Sequence, residues 1–167
     1  MMNEDLEREP GTLETDRYAV RTMRQEDLEA VVEIDRAATG RRRTEYFGRL
    51  LERALDSGGV QISLVAETEE QVVGYVVGTV FYGEFGIAEP VATIDAIGVD
   101  SEWRRKNVGD ALMRQLKTNL GALGVSGLRS EVSWDNFDLL AFFRRQGFTP
   151  ARRLCLERPL DPTAPDG

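Results

Sequence analysis

The chain contains no histidine. That absence removes the commonest general base near neutral pH, any Ser-His-Asp arrangement and the commonest metal ligand. The single cysteine, Cys155, excludes an intrachain disulfide and every site built from several thiolates. Its apolar-alternating surroundings predict a buried structural thiol rather than a nucleophile, and no metal site is expected. No apolar run is long enough to span a bilayer and no apolar core of a signal peptide follows the start, so a cytoplasmic protein without a membrane partner is expected. Positive charge is in deficit, 21 Lys+Arg against 29 Asp+Glu for a net charge of −8. Such an acidic balance argues against nucleic acid as a partner, because phosphate neutralisation supplies most non-specific affinity. The chain also lacks a Walker A loop and the dinucleotide glycine fingerprint. Chemistry here has to rest on carboxylates, backbone groups and a bound cosubstrate.

What is present is a 167-residue chain with 41% hydrophobic and 30% charged residues, enough for one domain with a real core. Its organising stretch is Ile94 to Leu116, IDAIGVDSEWRRKNVGDALMRQL. An apolar strand turns at Asp100-Ser101, passes Arg104, Arg105 and Lys106, and opens through Asn107, Val108 and Gly109 into an amphipathic helix. A helix start presents amides without intrahelical acceptors and favours negative charge. With three cations upstream and a glycine allowing close approach, the stretch reads as a phosphate cradle. The plainer alternative is a solvated basic turn that caps a helix.

Around that stretch, residues 1–15 read as a disordered acidic tail. A first strand is expected over Asp16–Met23 and a helix from Arg24 to Thr39. The basic run Arg41-Arg42-Arg43 reads as a solvated loop or, alternatively, as a lip for an acidic acceptor or the cofactor. A second helix carries Tyr46, Phe47, Leu50, Leu51, Ala54 and Leu55 on one stripe and ends at Ser57-Gly58-Gly59. Strands follow over Val60–Glu67, Val72–Tyr82 and Val91–Val99, the last two apolar on both faces as in a sheet centre. The cradle helix carries Val108, Leu112, Leu116, Leu120 and Leu123 on its stripe. A strand over Leu128–Trp134, a short helix over Asn136–Gln146 closed by Gly147, a final strand over Phe148–Leu160 and a frayed end over 161–167 complete the pattern. The expected fold is a single α/β (α+β) domain over 16–160. Its mixed, mostly antiparallel sheet is flanked by helices, with one parallel β-α-β unit at the cradle.

In these residues the chain resembles the GNAT superfamily of N-acetyltransferases from about Arg17 to Arg158. The family's pyrophosphate pattern, [QR]-x-x-G-x-[GA] after the fourth strand, is matched by Arg104-Arg105-Lys106-Asn107-Val108-Gly109. Asn107 stands where the first glycine usually sits, and asparagine is the residue after glycine that best tolerates positive φ. A second pattern, N-x-x-A-x-x-[FL]-[YF]-x-x-x-G-F, resembles the run from Asn136 to Phe148. The resemblance implies acetyl-CoA or another acyl-CoA as cosubstrate. It implies that Arg104, Arg105, Lys106, Asn107, Val108, Gly109 and Asp110 hold the pyrophosphate, that Ile97 and Val99 offer backbone to pantetheine, and that Asn136 contacts the same arm. Phe143 occupies a position that is often a tyrosine donating a proton to the departing thiolate, which a phenylalanine cannot do. On residue pattern alone, Phe137, Leu140, Phe142 and Phe143 are core residues of an amphipathic helix.

For catalysis Asp95 is singled out, a carboxylate in an otherwise small and apolar strand, expected to be paired or desolvated. The alternative is a buried carboxylate that holds strands by accepting backbone hydrogen bonds. Glu84 and Glu89 sit in the preceding loop, and Tyr82 is the nearest phenol that could act as an acid. The function these readings point to is transfer of an acetyl group to a primary amine by direct attack in a ternary complex. The alternatives are a catalytically silent acyl-CoA-binding module and an enzyme modifying protein lysines or N-termini. The expected partners are an amine acceptor, small or peptidic, and a second copy in a homodimer.

Overall fold

The computed structural model describes residues 17–56, 62–69, 71–82, 86 and 88–160. The expected tails at 1–15 and 161–167, the helix end at Ser57-Gly58-Gly59 and the strand start at Val60-Gln61 lie outside the described residues.

Strand β1 spans Ala19–Thr22 and leads into a 3-10 turn over Gln25–Asp27. Asp27 accepts the Arg24 backbone amide at 2.7 Å, satisfying a donor that helix α1, Leu28–Thr39, leaves at its entry. Gly40, left-handed at φ 72, closes α1 by donating to the Arg36 carbonyl at 2.8 Å. Helix α2 follows over Thr44–Asp56, then β2 over Leu64–Glu67, β3 over Val72–Phe81 and β4 over Val91–Val99. Helix α3, Val108–Ala122, carries the chain across to β5, Gly127–Ser130.

The five strands lie in the order β1-β2-β3-β4-β5. All neighbours are antiparallel except β4 and β5, whose parallel pairing requires a crossover such as α3. The expected mixed sheet with one parallel β-α-β unit is what forms. β3 is central, which accounts for the apolar residues on both its faces. On one face Val65, Tyr75 and Val77 meet Val31, Val32, Ile34, Phe47, Leu50 and Leu51 from α1 and α2. On the other, α3 buries Val108, Leu112, Leu116 and Leu120, residues spaced to share one helix face. The absence of a side chain at Gly74 lets α3 settle there: a Cβ would stand 2.7 Å from Val108 Cγ1 and 3.2 Å from the Gly98 carbonyl.

The chain divides into two compact units, the second beginning at Trp134. The second contains helix α4, Phe137–Arg145. Asn136 caps it by accepting the Leu139 amide at 3.2 Å, and Gly147 at φ 88 ends it, with Phe148 donating to the Phe143 carbonyl at 3.0 Å. Phe143 packs against Phe142 and Phe148, ring centres 5.6 and 4.8 Å away.

Several expectations need correction. The strand expected over Leu128–Trp134 stops at Ser130, and Trp134 is exposed. The final strand over Phe148–Leu160 does not form; residues 149–160 are irregular and exposed, so Cys155 is exposed rather than buried. In α4 only Phe143 is buried, while Phe137 and Leu140 face solvent. A period-2 pattern makes a strand only where a neighbour exists to complete its ladder.

Candidate active site

Strand β4 is the spine of the site. Its pairing with β5 covers only Val91–Ile94 against Gly127–Ser130, secured at its end by Ser130 Oγ donating to the Ile94 carbonyl at 3.2 Å. β4 continues to Val99 with β3 on one side only. Asp100 donates its amide to Val73 of β3 at 2.9 Å. Backbone groups alternate sides along a strand, so those of Val99 and Ile97 point the other way, towards the open edge. These are the two residues expected to offer backbone to an extended ligand.

Beyond β4 the chain is held tightly before α3 starts. Asp100 accepts the Glu102 amide at 2.9 Å and its carbonyl accepts from Trp103, closing a 3-10 turn over Ser101–Trp103. Tyr18 donates its hydroxyl to the Lys106 carbonyl at 2.7 Å and meets the Trp103 ring edge-on at 6.1 Å. The Lys106 ammonium lies 4.8 Å from the Trp103 ring centre, a cation–π contact. The loop is thus fixed by aromatic residues on β1's flank and in the turn, a clamp that no local motif announces.

Within it Arg105 (φ 59) and Asn107 (φ 63) are left-handed, the only described non-glycine residues with positive φ. Asn107 therefore adopts the backbone its glycine-like position demands. The first intrahelical bond is donated by Ala111 to Asn107 at 3.0 Å, so the amides of Val108 and Gly109 precede the ladder. Such turns before a helix start make anion-binding concavities. The side chains of Arg104 and Arg105 are exposed, and among the described residues neither has a carboxylate partner.

Asp95 lies in the same strand but not in the setting expected. The β3–β4 register passes from Val77↔Ala96 to Gly78↔Ile94, leaving Asp95 as the extra residue of a bulge. The bulge turns its carboxylate out: Asp95 is exposed, and Oδ2 accepts Thr79 Oγ1 at 2.7 Å. The desolvated or buried carboxylate anticipated from the apolar strand is not what forms. Its role among the catalytic candidates is a separate matter. Tyr46 of α2 is held above the usual phenol range by burial and then by the negative charge of Asp95, which places it within that carboxylate's field. Tyr82 is exposed just past the end of β3, Glu89 is exposed, and Glu84 lies outside the described residues.

The basic run is a loop in which Arg41 and Arg42 are exposed, while Arg43 is drawn inward. Arg43 binds the buried Asp35 through Nε at 2.8 Å and through Nη2, and its guanidinium lies 4.8 Å from the Tyr46 ring centre. Tyr75, buried in β3, donates to Asp35 at 3.3 Å. Burial, then the Asp35 charge, raises the Tyr75 phenol well above its usual range. Arg42 pairs with Glu29 and Glu33 on α1. These ties hold α1 and α2 against the sheet. Asn136 and Phe143 belong to the second unit, where the first caps α4 and the second fills a small aromatic core.

The fourth strand thus outruns its parallel neighbour, and a left-handed turn and a helix start stand at its end. The chain belongs to the acetyltransferase (GNAT) family, whose sequence profile matches residues 18–148. Solved structures share the fold at low identity. An aminoglycoside antibiotic 6'-N-acetyltransferase from Acinetobacter baumannii is 16% identical, with 86% of this chain and 99% of that chain covered and a TM-score of 0.72. A transcriptional regulator from Bacillus halodurans C-125 is 19% identical with the same coverage and a TM-score of 0.70. Glucosamine-6-phosphate N-acetyltransferase from Arabidopsis thaliana is 18% identical, again with 86% and 99% covered, at a TM-score of 0.66. The family uses acyl-CoA. No described helix is long and apolar enough to cross a membrane.

Proposed function

We propose that the chain transfers an acetyl group from acetyl-CoA to a primary amine by direct attack in a ternary complex. The observation that carries this reading is the open half of β4 leading into a rigid, left-handed turn at the start of α3. The residues fit the cosubstrate. The amides of Val108 and Gly109 and the exposed guanidiniums of Arg104 and Arg105 suit a pyrophosphate. Ile97 and Val99 suit an extended amide-bearing arm, which would add to the strand edge as a peptide does. Asp110 sits in the first turn of α3.

The thioester supplies an activated acyl carbon and a sulfur leaving group. The chain's own groups do the rest. Open-edge amides of β4 would polarise the acyl carbonyl, and the walls formed by α2 and β4 would orient the amine. Asp95, with Oδ2 engaged by Thr79, would take the first proton from the incoming ammonium through Oδ1. As an exposed group it would pass that proton on to water. The amine lone pair then forms the C–N bond as the C–S bond breaks, and the second proton goes to the departing sulfur or to solvent. A thiol with a reference pKa of ~8.5 leaves without an obligatory acid, which suits a chain with Phe143 where a tyrosine is common. Tyr82 and Glu84 remain auxiliary candidates on the acceptor side.

The test is thiol release from acetyl-CoA across amine, polyamine, amino-acid and peptide acceptors. Acceptor-dependent release supports the proposal. CoA binding without release for any acceptor supports the silent binding module instead, the reading that the buried Phe143 favours.

A further inference from the structure

The acceptor side of the site carries charge of both signs. Helix α2 lays Tyr46, Arg49 and Arg53 along one exposed stripe, successive members three and four residues apart. Arg49 is held by Glu45 at 3.6 Å, one turn back. Arg53 makes no ion pair among the described residues. Its side chain folds back along the helix, Nε donating to the Arg49 carbonyl at 3.5 Å, which carries the guanidinium towards the turn that holds Tyr46. The Tyr46 ring links this cation to Asp95. Burial and then the Asp95 charge raise its phenol, while the positive charges of Arg43 and Arg53 oppose the rise. One ring thus lies in the field of both the carboxylate and the arginine. Arg43 does not compete for a ligand, because the buried Asp35 holds its guanidinium at 2.8 Å.

We infer that the acceptor is an amine that also carries an anionic group, carboxylate or phosphate, with its amine at Asp95 and its anion at Arg53. This deepens the proposed transfer reaction and rests on it. An exposed carboxylate alone would accept the ammonium of any amine. Arg53 changes the ranking, because it repels the far ammonium of a diamine and presents a fork of donors to a carboxylate or phosphate. Tyr46, in reach of both charges and 37% exposed, offers apolar surface to the carbons that join the two groups. The net charge of −8 gives an anion no long-range attraction to the chain. The discrimination therefore has to arise at contact and appear in KM.

The experiment measures thiol release from acetyl-CoA with matched acceptors: β-alanine against ethylamine, γ-aminobutyrate against propylamine, and phosphoethanolamine against ethanolamine. The first two pairs read a carboxylate and the third a phosphate. In at least one pair the anionic member should be favoured about 10-fold in kcat/KM, most of it in KM. Arg53→Gln should abolish that preference, and Arg53→Glu should turn it towards the amine without the anion. A merely structural role for Arg53 would slow both members of a pair alike and leave their ratio where it was. A wild type that favours the anionic member in none of the pairs overturns the inference and leaves the transfer reading standing, as does a preference that survives Arg53→Gln. Failure of every acceptor to release thiol refutes the transfer reading instead. Recognition is read separately, by titrating γ-aminobutyrate, phosphoethanolamine and propylamine into the CoA-saturated chain and following the Arg53 Nε–H signal by NMR. A saturable shift with an anionic amine and none with propylamine supports the inference; a shift with all three or with none overturns it.

Discussion

Replacing Asn107 with valine isolates the backbone of the cradle from its charge. Asn107 sits at φ 63, ψ 17 immediately before α3. An ordinary L-residue there costs roughly 1–2 kcal/mol, with β-branched residues at the upper end. The loop is clamped by Tyr18 and Trp103, so the strain has two outlets. If the turn keeps its shape, the cost appears as lost stability. If it relaxes, the amides of Val108 and Gly109 swing off their common target, and affinity for CoA falls by ~5- to 30-fold for the same free energy. Asn107→Gly relieves the backbone at the same position and should leave affinity equal or higher. Calorimetric CoA titration alongside thermal melts of the three proteins separates these outcomes. A valine variant that melts and binds CoA like the wild type would show that the left-handed turn contributes nothing to the site.

Asp27→Asn should cost ~1–3 kcal/mol in denaturant unfolding at neutral pH, because it breaks the Arg21 pair at 2.7 Å in a nearly buried setting. Burial pushes the Asp27 carboxyl up, but Arg21 and the Arg24 amide outweigh it and leave it below its usual range. The wild-type advantage should therefore be full above the unfolded value of ~3.9 and vanish as pH falls below it; an advantage that persists in acid would contradict this. Gly74→Ala places a Cβ 2.7 Å from Val108 Cγ1 and 3.2 Å from a fixed carbonyl, so it should cost ~1–3 kcal/mol by overpacking and weaken CoA binding as α3 lifts, both read from melts and titration. Asp95→Asn keeps the Thr79 contact and lies at the surface, so turnover should fall by ~10²-fold or more with melting temperature and CoA affinity unchanged; equal turnover would remove Asp95 from the mechanism.

The parts legible in the sequence are those set by local chemistry. The two-sided apolar runs of β3 and β4, the capping Gly147 and the strand–turn–helix at Ile94 to Leu116 all formed where periodicity and turn residues placed them. The positive φ at Asn107 was suggested by the family resemblance, which has a glycine there, and by asparagine's tolerance of that conformation. What was hidden depends on register and on neighbours. Asp95 looked enclosed because alternation assumes an unbroken ladder, and one extra residue turned its carboxylate outward. Thr79 and Tyr46 gained their place beside it only through strand pairing and helix docking. Arg43 looked like a loop charge because its partner Asp35 sits on the inner face of α1, in an otherwise apolar stripe. The segment 148–160 has the pattern of a strand, but residues 149–160 are irregular and exposed.

The most direct test of the CoA site is a titration of CoA followed by amide NMR of the full chain. Saturable shifts should centre on Ile97 and Val99 at the open edge of β4 and on Arg105 to Gly109 at the start of α3, while β1 at the far edge of the sheet stays still. Saturation with shifts confined elsewhere, or no shift at β4 and the α3 start at concentrations that saturate binding, would contradict the account.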